Sequence, residues 1–220
     1  MNQLGITPPQ RIIGLTGGVG MGKSTVSRHL AAQHHLPVLD ADLYAREAVQ
    51  LGSPILAAIA ARYGDHLLLP DGTLDRRQLG AIVFQQPEER RWLESQIHPY
   101  VRDRFRQAQA ELADAPIIVN VIPLLFEANL TATVTEIWVV ACAEATQLER
   151  LVRRDQLSTE QAQARIASQC PIATKIAQAD VVLRNDGTVA ALLRQTDAAL
   201  AKPPRSPHQA VGNPPDPHED

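Results

Sequence analysis

The chain has 220 residues, 45% of them hydrophobic and 20% charged, and 21 Lys and Arg stand against 24 Asp and Glu for a formal net charge of −3. That length suits one large core or two small ones, and the composition excludes collagen-like and apolar-poor disordered chains. The near-balance of charge argues against a protein held mainly on a nucleic-acid backbone, and two cysteines, Cys142 and Cys170, are too few for a disulfide framework or a four-cysteine zinc site.

Residues 1–10 and the segment 203–220, which holds six of the sixteen prolines, offer little apolar surface to offset ordering entropy. They are expected to be a flexible start and a disordered Pro-rich tail. The start has no secretory pattern, and no apolar run reaches the roughly 20 residues of a membrane span. The richest, 117–126, is broken by Asn120 and Pro123. The expectation is a soluble, cytoplasmic protein with neither membrane nor nucleic acid as partner.

Between the ends, short β-branched runs alternate with longer amphipathic stretches. Strands are predicted at 11–16, 37–39, 117–122, 137–140 and 181–183, and helices at 23–34, 44–64, 76–84, 88–113, 145–154 and 159–168. Alternation of this kind predicts an α/β fold, a parallel sheet with helices on both faces. The interval 42–116 contains no convincing strand and reads as a mostly helical insertion.

The first strand runs into Gly17-Gly18-Val19-Gly20-Met21-Gly22-Lys23-Ser24-Thr25. Glycines permit the positive φ angles that turn successive backbone N–H groups toward phosphates, Lys23 supplies a point charge for the β and γ oxygens, and Ser24 offers its hydroxyl to Mg2+. The helix predicted from Lys23 aims its positive end at the same anion. No Asn-Lys-x-Asp sequence reads guanine, so ATP is the expected nucleotide.

Asp40 and Asp42 follow the second strand, at the edge of the sheet where ligands bind. One is suited to support Mg2+ and the other to take the proton of an incoming hydroxyl. The plainer alternative is that one of them caps the helix that follows. Later, Arg150 and Arg154 are spaced to share a helix face and cover a transferring phosphoryl, although Glu149 leaves a solvated charged face as the other reading. Asp71-Gly72-Thr73-Leu74-Asp75-Arg76 reads as a turn before a capped helix. His98-Pro99 is expected to interrupt the helix over 88–113. Pro123-Leu124-Leu125-Phe126-Glu127 ends the third strand at the catalytic edge with one ionisable group, Glu127.

These blocks, with Arg46 after the acidic pair, occur in the order found in dephospho-CoA kinases, and from about Ile12 to Gly187 the chain resembles that family. The resemblance implies a P-loop NTPase fold, a three-layer parallel sheet carrying a helical CoA-binding insertion at about 43–115 and a lid at about 145–170, all within 11–202. It implies transfer of the ATP γ-phosphoryl to the ribose 3′-hydroxyl of 3′-dephospho-CoA, with Mg2+, by a monomer or small homo-oligomer.

Under it, Asp42, Lys23 and Arg150 take the catalytic positions. ATP falls to Gly18, Val19, Gly20, Met21, Gly22, Lys23, Ser24, Thr25 and Asn185, and Mg2+ to Ser24, with Asp40. Asp40, Arg46, Arg76, His98, Glu127 and Arg154 are expected on the acceptor side. Two positions depart from the family pattern: Met21 stands where Ser is common, and Val121 is apolar where many members carry Asp. The second departure shifts the expected hold on Mg2+ toward Asp40 or water. Two other readings share parts of the pattern: a different P-loop small-molecule or nucleotide kinase, and a non-catalytic ATP-binding regulatory module using the Pro-rich tail as its contact segment.

Overall fold

The computed structural model describes residues 10–203. The flexible start and the Pro-rich tail fall outside these residues, save Gln10 and Pro203. In chain order the first elements are β1 (Arg11–Gly17), α1 (Lys23–His34), β2 (Val38–Asp40), α2 (Ala41–Glu47), α3 (Pro54–Tyr63), α4 (Arg76–Gln85) and α5 (Pro87–Glu111). After them come β3 (Ile117–Val121), β4 (Glu136–Ala141), α6 (Glu144–Asp155), α7 (Thr159–Ala167), α8 (Ile172–Ala177), β5 (Val181–Arg184) and α9 (Val189–Leu200). Contacts divide the chain into two compact units, residues 40–112 and the chain on either side of them.

The discontinuous unit is built on a sheet of order β2-β3-β1-β4-β5. β1 pairs in parallel with β3 and β4, and β4 in parallel with β5. On one face Ile13, Leu15, Val119, Val121, Trp138, Val140 and Leu183 pack with Val26 and Leu30 of α1 and Leu192 and Ala199 of α9. Residues of the other parity, Ile118, Ile137 and Val139, are equally buried, so both faces are covered and the strands read as continuous apolar runs. Val121 therefore stands in the core. At the opposite edge from the loop after β1, Arg11 Nε donates to Glu136 Oε2 at 2.7 Å, both side chains nearly fully buried, and Arg11 Nη1 reaches the carbonyls of Leu200 and Lys202. This pair ties the end of α9 to β1 and β4.

The unit of residues 40–112 is helical around its own cluster of Ala48, Val49, Leu56, Ile59, Leu67, Leu74 and Leu79. Its one extended contact among the described residues is an isolated bridge between Leu68 and Leu74. The helix predicted over 44–64 is two helices. Gly52 adopts φ +82°, Ser53 Oγ accepts from Leu56 N at 3.0 Å, and Pro54 opens α3, so a cap and an N1 proline restart the helix. Pro99, by contrast, lies inside α5 without ending it. It withholds one amide and costs about 3 kcal/mol in a helix interior, less than the burial of Val101, Phe105 and Ala108 on the continuing stripe returns. Two helices were absent from the sequence prediction. In α9, Thr188 Oγ1 accepts from Ala191 N as the cap, and α8 is too short for its period to show.

At the junction of α3 and α5, Arg62 donates to both carboxylate oxygens of Glu89 at 2.7 and 2.9 Å, Tyr63 donates to Oε2 at 2.5 Å, and the guanidinium lies 4.6 Å from the Trp92 ring centroid. These bonds, Arg62's foremost, lower the Glu89 carboxyl from 4.5 to about 2. The charged form is thus favoured by folding, so its contribution is complete above pH 4.5 and is lost as pH falls toward 2. Thermal melts of wild type and Glu89→Gln are expected to differ most at neutral pH and to converge through that window. A difference constant with pH would contradict this account.

Candidate active site

The phosphate loop joins β1 to α1 at the centre of the sheet. Gly22 caps α1 with φ +108°, and a Cβ there would collide with Asn185 Nδ2, so both backbone and space demand glycine. Gly17 is constrained likewise, since a Cβ would meet the Val140 carbonyl. Lys23 folds back over the loop, its Nζ donating to the Gly17 and Gly18 carbonyls at 2.9 and 3.0 Å. Ser24 and Thr25 follow in the first turn, with Ser24 exposed. Met21 is buried at 1% exposure, which explains how a thioether stands where a hydroxyl is common.

Three side chains from distant segments clasp this loop. Gln147 Nε2 of α6 donates to the Val19 carbonyl at 2.8 Å, Val19 N donates to Gln169 Oε1 at 2.8 Å, and Asn185 Nδ2 donates to the Met21 carbonyl at 2.8 Å. Asn185 was expected near the nucleotide; Gln147 and Gln169 were not. A glutamine beside Leu151 on the buried face of α6 is the sequence signal that could have found the first.

Arg150 and Arg154 of α6 have different partners. Arg150 Nη2 donates to the Asn185 carbonyl at 2.9 Å, and its Nη1 is buried with no hydrogen-bond partner among the described residues. Arg154 makes a two-point bond to Asp155 at 2.7 and 2.9 Å, and Arg165 reaches the same carboxylate at 2.7 Å. Asp155 is held below its ordinary range by Arg154 first. Of the two arginines expected to act together, only Arg150 has an unused donor inside the fold. Glu127 is likewise engaged: Lys175 Nζ, fully buried, lies 2.8 Å from Oε1, and Cys170 N donates to the same oxygen at 2.9 Å. Burial alone would raise this carboxyl, but the bond from Lys175 and the two backbone amides bring it below its usual value.

In the helical unit, Asp40 Oδ1 accepts from Asp42 N at 2.9 Å and caps α2. Burial foremost, then the charge of Asp42, raises the Asp40 carboxyl despite that bond. Asp42 itself is exposed at the start of α2, its carboxylate outside the cap. In the block 71–76, Asp71 Oδ1 binds the amide and hydroxyl of Thr73, and Asp75 Oδ1 accepts from Arg77 N and Gln78 N to cap α4. The two aspartates build turn and cap. Arg76, the first residue of α4, is left facing Arg46: its Nη2 donates to the Arg46 carbonyl at 3.2 Å, and burial with the like charge of Arg46 destabilises its cation. The positive charge of Arg46 thus reaches the Arg76 guanidinium, a local concentration of cationic donors suited to an anion. His98 is exposed on α5.

Comparison with known proteins identifies the family of the chain. The sequence profile of the dephospho-CoA kinase family matches residues 11–191. The chain is 61% identical over 191 residues to a Trichormus variabilis dephospho-CoA kinase, covering 87% of this chain and 97% of that one, and 56% identical to one from Synechocystis, covering 84% and 92%. Among solved structures it resembles a Thermus thermophilus protein (35% identity, TM-score 0.74, 87% of this chain and 97% of that one). It also resembles a Campylobacter jejuni dephospho-CoA kinase (27% identity, TM-score 0.65, 86% and 94%).

Proposed function

Because this chain belongs to the dephospho-CoA kinase family, we propose that its phosphate loop, Asp42 and the Arg46–Arg76 pair divide the work of that reaction. The reaction transfers the γ-phosphoryl of ATP to the 3′-hydroxyl of 3′-dephospho-CoA, giving CoA and ADP. The observation that carries the assignment is the loop over Gly17–Gly22, closed on its own lysine and opening α1.

Lys23 exchanges the two loop carbonyls for phosphate oxygens when ATP binds, trading neutral acceptors for charged ones. The amides from Gly18 to Thr25 cradle the same anion, with the loop held in shape by Gln147, Gln169 and Asn185. Arg150, tethered by one nitrogen to Asn185, supplies its unpartnered Nη1 to the charge that develops on the transferring group. Asp42, exposed and not consumed by the cap, accepts the proton of the attacking hydroxyl. Arg46 and Arg76 hold a phosphate of the acceptor, and His98 lies on the same acceptor-binding unit. Arg154 and Glu127, committed to Asp155 and Lys175, hold α6 and the segment after β3 in place.

The oxygen donor of Ser24, beside Lys23 and exposed, fits Mg2+, which takes few protein ligands and keeps water and phosphate as the rest. When bound, that ion supplies charge neutralisation on the phosphates. The capping duty of Asp40 makes Ser24 the better ligand of the two. A cytoplasmic setting agrees with two free thiols, Cys142 and Cys170. Among the described residues no helix is long and apolar enough to cross a membrane.

ADP release measured across a panel of hydroxyl acceptors tests the proposal. Dephospho-CoA is expected to be strongly preferred; preference for a nucleoside monophosphate, or no acceptor-dependent release, would overturn it. With dephospho-CoA as acceptor, Arg76→Ala is expected to raise the KM for that substrate by about 10- to 100-fold, the worth of a charged hydrogen-bonded pair, and to leave the KM for ATP near wild type. An equal rise in both constants would remove Arg76 from the acceptor side.

A further inference from the structure

Away from the phosphate loop, one group of side chains carries metal-ligand chemistry that the phosphoryl transfer does not use. His29 and His34 of α1 and Asp197 of α9 converge. His29 Nε2 lies 2.6 Å and His34 Nε2 2.8 Å from the same oxygen, Asp197 Oδ1, and ligand atoms of all three residues fall within 4.8 Å of one another. We propose that these three residues bind one transition-metal dication, Zn2+ by preference, and that the ion clamps the end of α1 to α9.

Two imidazole nitrogens and a carboxylate oxygen are a ligand set that zinc takes, with water completing four-coordination. Oxygen-only sites suit Mg2+; imidazole moves the preference to the borderline metals. The rings meet at 78° with centroids 5.5 Å apart, splayed about the carboxylate as two ligands of one ion must be. Zinc bonds of about 2.0–2.1 Å in a tetrahedron set neighbouring ligand atoms roughly 3.3 Å apart. The ion therefore enters by opening the present 2.6 and 2.8 Å separations by about half an ångström. The gradient of exposure allows this: the His29 side chain is 12% exposed, His34 32% and Asp197 46%, so a largely buried ligand faces a half-exposed one, with solvent at the mouth. Each imidazole ligates as the tautomer protonated at Nδ1.

Both supporting helices are fixed by the core. Val26 and Leu30 flank His29 on α1, and Thr196 and Ala199 flank Asp197 on α9, all buried. Such backing is what a preformed ligand set requires. At 1.5 Å per residue, His29 lies about 9 Å and His34 about 16 Å along the helix from Lys23, so the ion would brace the phosphate-binding helix without touching phosphate.

The full chain, stripped with a chelator and held in saturating Mg2+, is titrated with Co2+ by absorption and with Zn2+ by competition against a chromophoric chelator. One ion per chain is expected, and at about 100 times the dissociation constant Zn2+ is expected to raise the unfolding midpoint by about 5–10 °C. His34→Gln and Asp197→Asn are each expected to weaken binding by at least about 100-fold, the upper end of what losing a hydrogen bond to a ligand costs. Both variants keep phosphoryl transfer near wild type in Mg-ATP, which shows that they fold. Cys170→Ser binds as wild type. No bound ion, an unchanged affinity in either variant, or a midpoint unmoved by Zn2+ would overturn the site and leave a hydrogen-bonded triad only.

Discussion

Asp42→Asn is expected to lower turnover by roughly 10²- to 10⁴-fold, the range a positioned general base contributes. The substitution is a fair probe because of how α2 begins. The cap is made by the carboxylate of Asp40 and the backbone amide of Asp42, so asparagine at 42 leaves that bond intact and keeps the side chain's size. What is lost is the oxygen able to take a proton. ATP binding and the unfolding midpoint are therefore expected to stay near wild type while turnover falls. Asp40→Asn makes the complementary measurement: asparagine caps nearly as well as aspartate, so a capping residue tolerates the change with a small loss. If Asp42→Asn turns over like wild type, or if Asp40→Asn loses as much, the base has been assigned to the wrong residue.

That contrast also marks what the sequence could and could not reveal. Local rules place α1 from Lys23 to His34, because a glycine cap, a lysine start and an apolar stripe all lie within one stretch of chain. The central strands β1, β3 and β4 were legible for the same reason: each is a largely buried apolar run rich in β-branched residues. The two aspartates at 40 and 42 were visible as a pair, but which one caps depends on a φ of −123° at Asp40 that composition does not encode. Glu127 and Arg154 looked free because their partners, Lys175 and Asp155, are chosen by folding; Lys175 is 48 residues away from Glu127 and fully buried. The clasp on Val19 draws Gln147 and Gln169 from segments more than a hundred residues downstream. Pro99 misled in the opposite direction, since a local penalty was outweighed by packing on the far side of the same helix. The motifs thus disclosed the reacting groups, while the side chains that hold those groups still were legible only in three dimensions.

Lys23 is where the loss in overall efficiency should rival that at Asp42. Its ammonium donates to the Gly17 and Gly18 carbonyls, so the loop holds its lysine without an unpaired charge. Lys23→Met removes both that tether and the cation that meets the β and γ oxygens. The expected loss in kcat/KM is about 10²- to 10³-fold, or roughly 2.7–4 kcal/mol of transition-state stabilisation, the cost of deleting one preorganised donor. Lys23→Arg should not restore it. The two carbonyls lie 2.9 and 3.0 Å from a single nitrogen, a seat for a compact ammonium that a planar guanidinium on a longer stem does not fill. Steady-state ADP release with dephospho-CoA, together with direct titration of a fluorescent ATP analogue, separates the two effects. A rise in the dissociation constant alone would make Lys23 a binding residue, whereas a fall in kcat that persists at saturating ATP is the outcome expected of a group that follows the phosphoryl into the transition state. Activity within tenfold of wild type in Lys23→Met would refute that role.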